Sequence, residues 1–221
     1  MNIAENILKH SLQNVYFLYG TAMAGKTTMA QALVQKHGFV HFTDNWHDAS
    51  FDLWLSLCDP YYQPESTKRN ALTDWEAHFS RTVEEFLAED NLNSYNGEYL
   101  EFALIELVKL SQRGKVVTDL HMPVQLLLQL TDRSRIVALL LDPTLATCRA
   151  YGSREDHREY LECILSLKDP EKKLAVQDEI FKHGAVKGAK EAREHGLFCV
   201  ERNAGSTVEG HLAEIEKHFR L

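Results

Sequence analysis

No apolar run in the 221 residues approaches the ~20 needed for a membrane-spanning helix. The longest, IVALLLD at 136–142, is short and ends in Asp142, which fits a buried strand. The start, MNIAENILKHSLQN, lacks a positively charged segment followed by an apolar core, so no signal peptide and a cytoplasmic location are expected. Cys58, Cys148, Cys163 and Cys199 are scattered with no CxxC pair, which predicts reduced thiols and no disulfide framework. Eleven histidines show neither HExxH nor any other metal-ligand spacing, which argues against zinc. Basic charge is in deficit: 24 Lys and Arg face 32 Asp and Glu, a net charge of −8. That balance argues against non-specific nucleic-acid binding, which rests on phosphate neutralisation, but permits a local basic pocket. Internal repeats and low-complexity linkers are absent, so one domain over 1–221 is expected. A chain of this length buries roughly 70% of its unfolded surface and needs no covalent or metal staple.

What is present is an alternation of strand and helix patterns. VYFLY (15–19) reads as the first strand. A helix follows over 26–36, with Met29, Ala30, Leu33 and Val34 on its apolar face and Gly38 as its stop signal. FVHFT (39–43) reads as the second strand. A polar and aromatic stretch over 45–114 contains a helix near 74–90, opened by a Thr73/Glu76 capping box, and another over 98–112. Strands are predicted at 115–119, 135–142 and 197–200. Asp142-Pro143 is a helix-start signal, and Asp169-Pro170 repeats it ahead of a long charged helix. A Ser206/Glu209 box opens the last helix, whose buried face is Val208, Leu212, Ile215 and Phe219. This alternation predicts an α/β fold with a parallel sheet covered on both faces, and ligands beyond the carboxyl ends of its strands.

The strongest motif sits at such an end. Gly20, Thr21, Ala22, Met23, Ala24, Gly25, Lys26 and Thr27 match G-x-x-x-x-G-K-[ST] at every fixed position, between a predicted strand and a predicted helix. The glycines permit a tight loop whose backbone N–H groups approach phosphate oxygens. Lys26 supplies a mobile cation for the β and γ phosphates, Thr27 a hydroxyl for Mg2+, and the helix start, including Thr28, a positive dipole end. Asp119 ends the third strand beside this loop. It suits a direct or water-mediated Mg2+ contact, and it equally suits an ordinary strand-end turn.

On these residues the chain resembles the P-loop nucleoside triphosphate hydrolase superfamily. It lacks the N-K-x-D guanine motif and the LSGGQ transporter signature. Asp119 is followed by Leu120, not by the Glu that motor ATPases use to activate water. What remains resembles the small-molecule and nucleotide kinase branch: adenylate-, thymidylate-, shikimate- and gluconate-kinase-like proteins and the chloramphenicol phosphotransferase type. The resemblance implies a three-layer α/β/α fold with a five-stranded parallel sheet in order 2-3-1-4-5 and a helical insertion after strand two. It implies ATP and Mg2+ as cofactors, with Thr27 and Asp119 placing the metal. It implies an arginine-bearing lid at about 149–170, here Arg149 and Arg154 with Arg158 beyond. It also implies an acidic residue after strand two, here Asp44, that orients or deprotonates the acceptor, with Asp48 a weaker candidate. The loop RNAGST (202–207) would border the adenine ring.

Each of these residues has a plainer reading. Asp44 could cap a turn, and Arg154 and Arg158, four apart, could pair with Glu155, Asp156 and Glu159 on a solvated helix. The 45–114 insertion, which would hold the acceptor, offers only Arg69, Arg81 and Arg113, and so suits a neutral acceptor better than a monophosphate. Trp46, Trp54, Tyr61, Tyr62 and Trp75 could stack on a planar ring or be core. His121 suits capping or packing better than substrate contact. The function expected is ATP-dependent phosphoryl transfer to a small-molecule acceptor such as a nucleoside, nucleotide or other hydroxyl metabolite, without nucleic-acid or membrane partners. The alternative is a nucleotide-binding ATPase acting as a regulatory or partner-binding module, with the charged helix at 170–195 as its partner surface.

Overall fold

Three central runs rich in β-branched, aliphatic and aromatic residues become strands because their side chains fill both faces of one pleated surface, and two more exposed runs pair along its edges. The computed structural model describes residues 5–43, 74–93 and 97–221. Its elements are α1 (Glu5–Ser11), β1 (Val15–Tyr19), α2 (Lys26–His37), β2 (Val40–Phe42), α3 (Trp75–Phe79), α4 (Val83–Asn93), α5 (Gly97–Ser111) and β3 (Val116–Thr118). They continue with α6 (Val124–Leu130), β4 (Ile136–Leu141), α7 (Cys148–Gly152), α8 (Arg158–Ser166), α9 (Pro170–Glu194), β5 (Phe198–Arg202) and α10 (Val208–Phe219). All strand pairings are parallel, in the order β2-β3-β1-β4-β5. With helices on both faces, this is the three-layer P-loop fold that the resemblance implied.

The period-2 alternation sorts the strands cleanly. Val15, Phe17, Val116, Ile136, Ala138 and Leu140 face Leu100, Ala103 and Leu107 of α5 and Val124, Leu127 and Leu130 of α6. Tyr16, Leu18, Val117, Val137, Leu139 and Leu141 face Met29, Ala30 and Leu33 of α2 and Ile215 and Phe219 of α10. The 25-residue α9 contributes to both layers, through Ala185 on the α2 side and Ala192 on the other. A third cluster of Phe79, Cys148, Ile164 and Leu174 joins α3, α7, α8 and α9. After β1 the chain crosses to β2, beyond β3. After β3 it crosses to β4, on the other side of β1. The loops that leave β1 and β3 therefore diverge and open a crevice between them.

Several boundary expectations shift. The helix expected near 74–90 is two helices, α3 and α4, and the cap of α3 is Asp74, whose carboxylate accepts from Ala77 N at 2.9 Å. Glu76 is tied to other elements. Its carboxylate accepts from Lys173 Nζ at 2.7 Å and Lys168 N at 3.0 Å, a tertiary use that local spacing cannot show. Thr73 lies outside the described residues. Asp142 does cap, accepting from Thr144 N at 2.9 Å, though the turn it opens is a 3-10 helix, Pro143–Leu145. Asp169 makes no side-chain cap and takes a left-handed backbone, φ 50°, before Pro170. The last helix is capped by Thr207, not Ser206. The Thr207 hydroxyl accepts from Gly210 N at 3.1 Å, and this one-residue shift leaves Val208 exposed and buries His211 beside Ile215 and Phe219. Among the described residues no helix is long and apolar enough to cross a membrane.

The first loop residue is held to glycine by space as well as by backbone. Gly20 has φ 143°, and a Cβ there would lie inside van der Waals contact of the Leu139 carbonyl oxygen. Gly20→Ala is expected to destabilise the fold by about 2–4 kcal/mol, whereas Gly114→Ala, which meets nothing within 4 Å, should change stability by less than about 0.5 kcal/mol. Urea midpoints of the two variants check the contrast, and equal midpoints would show that the close approach to Leu139 is not a constraint.

Candidate functional site

Tyr19 hands the chain to the loop, which turns on three positive φ angles: Gly20 at 143°, Met23 at 63° and Gly25 at 96°. Gly25 is also the residue preceding α2, so the loop runs straight into a helix N-terminus. Such a sequence of turns points successive backbone N–H groups into one concavity, and the helix start adds positive potential. Lys26 Nζ donates to Thr21 O at 3.0 Å, folding the ammonium back across the loop. Ala24 is buried in the core on the α2 side, and this anchors the loop's descending limb.

The loop is braced from two neighbouring elements. Arg202, at the end of β5, donates from Nη1 to the Met23 carbonyl. From α9, Gly188 packs so closely on Thr21 that a Cβ there would come within 3.0 Å of Thr21 Cγ2. Glu191, one turn on, accepts from Tyr19 Oη at 3.0 Å. Burial, and then the Glu191 charge, push the Tyr19 phenol far above its ordinary value, so it remains a neutral donor.

Parallel registry assembles the rest. Val117 of β3 lies beside Tyr16 of β1 and His41 of β2. Asp119, two residues on, therefore returns to the same face, the one covered by α2. Thr27, in the first turn of α2, donates from Oγ1 to Asp119 Oδ2 at 2.7 Å. His41 Nε2 lies 2.9 Å from Asp119 Oδ1. An ionised carboxylate has no proton to give, so the ring nitrogen is the donor. Asp119 is 2% exposed. Burial alone would raise its carboxyl, but the His41 and Thr27 hydrogen bonds, with the His41 and Lys26 charges, hold it below its ordinary value. The carboxylate is thus ionised deep in the crevice.

These residues fit a Mg2+ ion. Among the described residues no group of three or more His, Cys, Asp or Glu could cage a metal. Mg2+ does not need one: it takes one or two protein oxygens and completes its octahedron with phosphate oxygens and water. The Thr27 hydroxyl and the Asp119 carboxylate, paired where the loop enters α2, could serve as such a donor set.

The other predicted site residues are placed differently. Asp44, Asp48, Trp46, Trp54, Tyr61, Tyr62 and Arg69 lie outside the described residues. Arg149, on α7, has its guanidinium against Glu171 Oε1 of α9 at 2.6 Å, an exposed pair. Arg154 precedes a 3-10 turn, Glu155–His157, and Arg158 starts α8, so the two do not share a helix face. Arg81 lies over the Phe86 ring, 3.9 Å from its centroid, and donates to His78 O at 3.0 Å. Trp75 stacks on Phe79. His121 is exposed. Lys173, buried and bonded to Glu76 and to Lys168 O, ties α3 to the start of α9. Asp178 accepts from Cys148 N at 2.6 Å and ties α9 to α7. Burial first, and then Asp178, push the Cys148 thiol up to about 11, which leaves it a packed thiol and not a nucleophile.

Sequence reasoning missed His41, Glu191 and the bracing role of Arg202. For His41 a signal exists: in the strand Val-His-Phe the alternation turns position 41 toward α2, so a polar residue faces the core layer. Glu191 and Arg202 become bracing groups only once α9 and β5 are placed beside the loop.

No family model matches the chain, and no curated protein matches it. Among solved structures it is similar to a shikimate kinase from Bacteroides thetaiotaomicron, determined at 1.7 Å resolution, with 16% sequence identity and a TM-score of 0.42. That alignment covers 94% of this chain and 98% of the other.

The lowered Asp119 carboxyl fixes a pH dependence. In the unfolded chain it takes up a proton near its ordinary value, about 4, and in the folded state only at lower pH. Its stabilisation is therefore present above about pH 4 and lost as pH falls through the folded value. Asp119→Asn should flatten the rise of stability with pH below about pH 4, measured by urea unfolding in steps from pH 5 downward. An unchanged slope would show that the carboxylate is not held ionised.

Proposed function

We propose that this chain is an ATP-dependent phosphotransferase that moves the γ-phosphoryl group of Mg·ATP to a small-molecule hydroxyl or phosphate acceptor. The reading rests on one observation above the others: a phosphate-loop threonine hydrogen-bonded to a buried, ionised aspartate at the end of the neighbouring strand. A triphosphate would lie along residues 20–28, against the loop amides, with Lys26 released from the Thr21 carbonyl to the β and γ phosphates. Thr27 and Asp119 would hold the metal. When bound there, Mg2+ would supply neutralisation of the phosphate charge. Transfer is favoured over hydrolysis because Asp119 is followed by buried Leu120 and not by a water-activating acid.

The acceptor is assigned to the 45–114 segment, with Asp44 orienting its hydroxyl. Arg149 and Arg154 are assigned to the lid at 149–170. A lid arginine neutralises the moving phosphoryl group and helps to exclude the water that would otherwise consume ATP. For Arg149 this requires exchanging Glu171 for phosphate, which an exposed ion pair permits because such pairs contribute little. A net charge of −8 and the few arginines in 45–114 favour an uncharged acceptor. We assign the protein to the cytoplasm, where thiols such as those of Cys148, Cys163 and Cys199 stay reduced.

Turnover of Mg·ATP against nucleosides, nucleoside monophosphates, sugars, cyclic polyols, aminoglycosides and phenicols, with products weighed by mass, tests the reading. One acceptor class should gain 80 Da per phosphoryl group, and Lys26→Ala should cut that rate by about 100-fold or more. Acceptor-independent ATP hydrolysis would instead favour a regulatory ATPase module. Absence of nucleotide binding would overturn the assignment of the loop.

A further inference from the structure

We propose that His41 is a positioning residue for the Mg2+–nucleotide site: its Nε2–H fixes one carboxylate oxygen of Asp119 so that the other oxygen and the Thr27 hydroxyl present a set geometry to the metal. The inference rests on the reading of Thr27 and Asp119 as the Mg2+ partners. Asp119 has two oxygens and two donors. Oδ2 receives Thr27 Oγ1 at 2.7 Å, and Oδ1 receives His41 Nε2 at 2.9 Å. The side chain of Asp119 is almost wholly shielded, and that of His41 is mostly so. Carboxylate rotation about χ2 is otherwise soft, with a broad and roughly two-fold profile. Two donors from different elements, β2 and the first turn of α2, stop that rotation.

Geometry also explains why β2 carries the histidine. Position 41 is level with Val117 across the β2–β3 pairing, on the face toward α2. A longer side chain there reaches along β3 to residue 119. Truncating it would leave a buried carboxylate oxygen without a donor, a costly state that the group relieves by turning toward Lys26 or Thr27. The carboxylate would then no longer present a fixed oxygen at a fixed angle to a cation. Donors of this kind behind metal-binding carboxylates typically change metal affinity 10–100-fold.

The test reads metal-linked binding and not turnover. Dissociation constants of the β,γ-imido analogue of ATP are measured by calorimetry with excess Mg2+ and again with chelator, for the full chain and for His41→Leu, His41→Ala and His41→Gln. The ratio of the two constants is the metal enhancement. His41→Leu and His41→Ala should lower that ratio by about tenfold while the metal-free constant stays within about threefold of the wild type. A retained metal-free constant shows that the cradle is folded. His41→Gln, whose amide places an N–H near the Nε2 position, should restore the ratio to within about threefold. If His41→Leu keeps the full metal enhancement, the inference is overturned and the loop assignment stands. A Gln variant as impaired as the Leu variant overturns the donor argument. A wild-type chain that binds the analogue with no metal enhancement overturns the reading of Thr27 and Asp119 as metal partners, and this inference with it.

Discussion

A carboxylate kept ionised inside a folded protein must be surrounded by donors, because desolvation otherwise neutralises it. Asp119 meets that demand from two sides, and the architecture around it follows. The strand order puts β2 and β1 on either side of β3, so His41 arrives from one edge. The crossover from β1 sends α2 over the same face, so Thr27 arrives from above. A one-residue slip of β3 against its neighbours would turn Asp119 to the opposite layer, among the leucines of α5 and α6. Registry of the central strands is therefore a condition of the site as much as of the core.

The phosphate loop carries a related constraint. Its turns need residues with positive φ, and its position needs bracing, since a loop of glycines and alanines holds little shape alone. Ala24 anchors the loop in the core, and the bracing comes from distant segments: Arg202 from the last strand and Gly188 from the longest helix. The set of this loop therefore depends on the last third of the chain, although the motif itself spans eight residues.

The parts legible in the sequence are those set by local chemistry. The eight-residue loop, the five strands and the long charged helix all follow from spacing and alternation, because a strand or a helix imposes its own period on the residues that build it. Caps were legible to within about a residue. Thr207 rather than Ser206, and Asp74 rather than Thr73, were chosen by where the chain enters the helix, which neighbouring polar residues cannot settle among themselves. Partnerships across the chain were not legible. Glu76 looks like a cap and is a latch for Lys173; Arg149 looks like a free cation and faces Glu171. His41 looks like one more histidine in a strand, yet holds the buried acid 78 positions away.

Helix α9 attaches at both ends to parts of the molecule that must keep their places: Lys173 and Asp178 hold α3 and α7, and Gly188 and Glu191 hold the loop and Tyr19. At 1.5 Å and about 100° per residue, inserting or deleting one residue between these two sets would turn one end by about a quarter of a circle against the other. Both attachments could not then be kept. The central part of α9 can change in composition but not in length, so among divergent forms of this chain insertions and deletions should collect in loops and spare the span from Lys173 to Gly188.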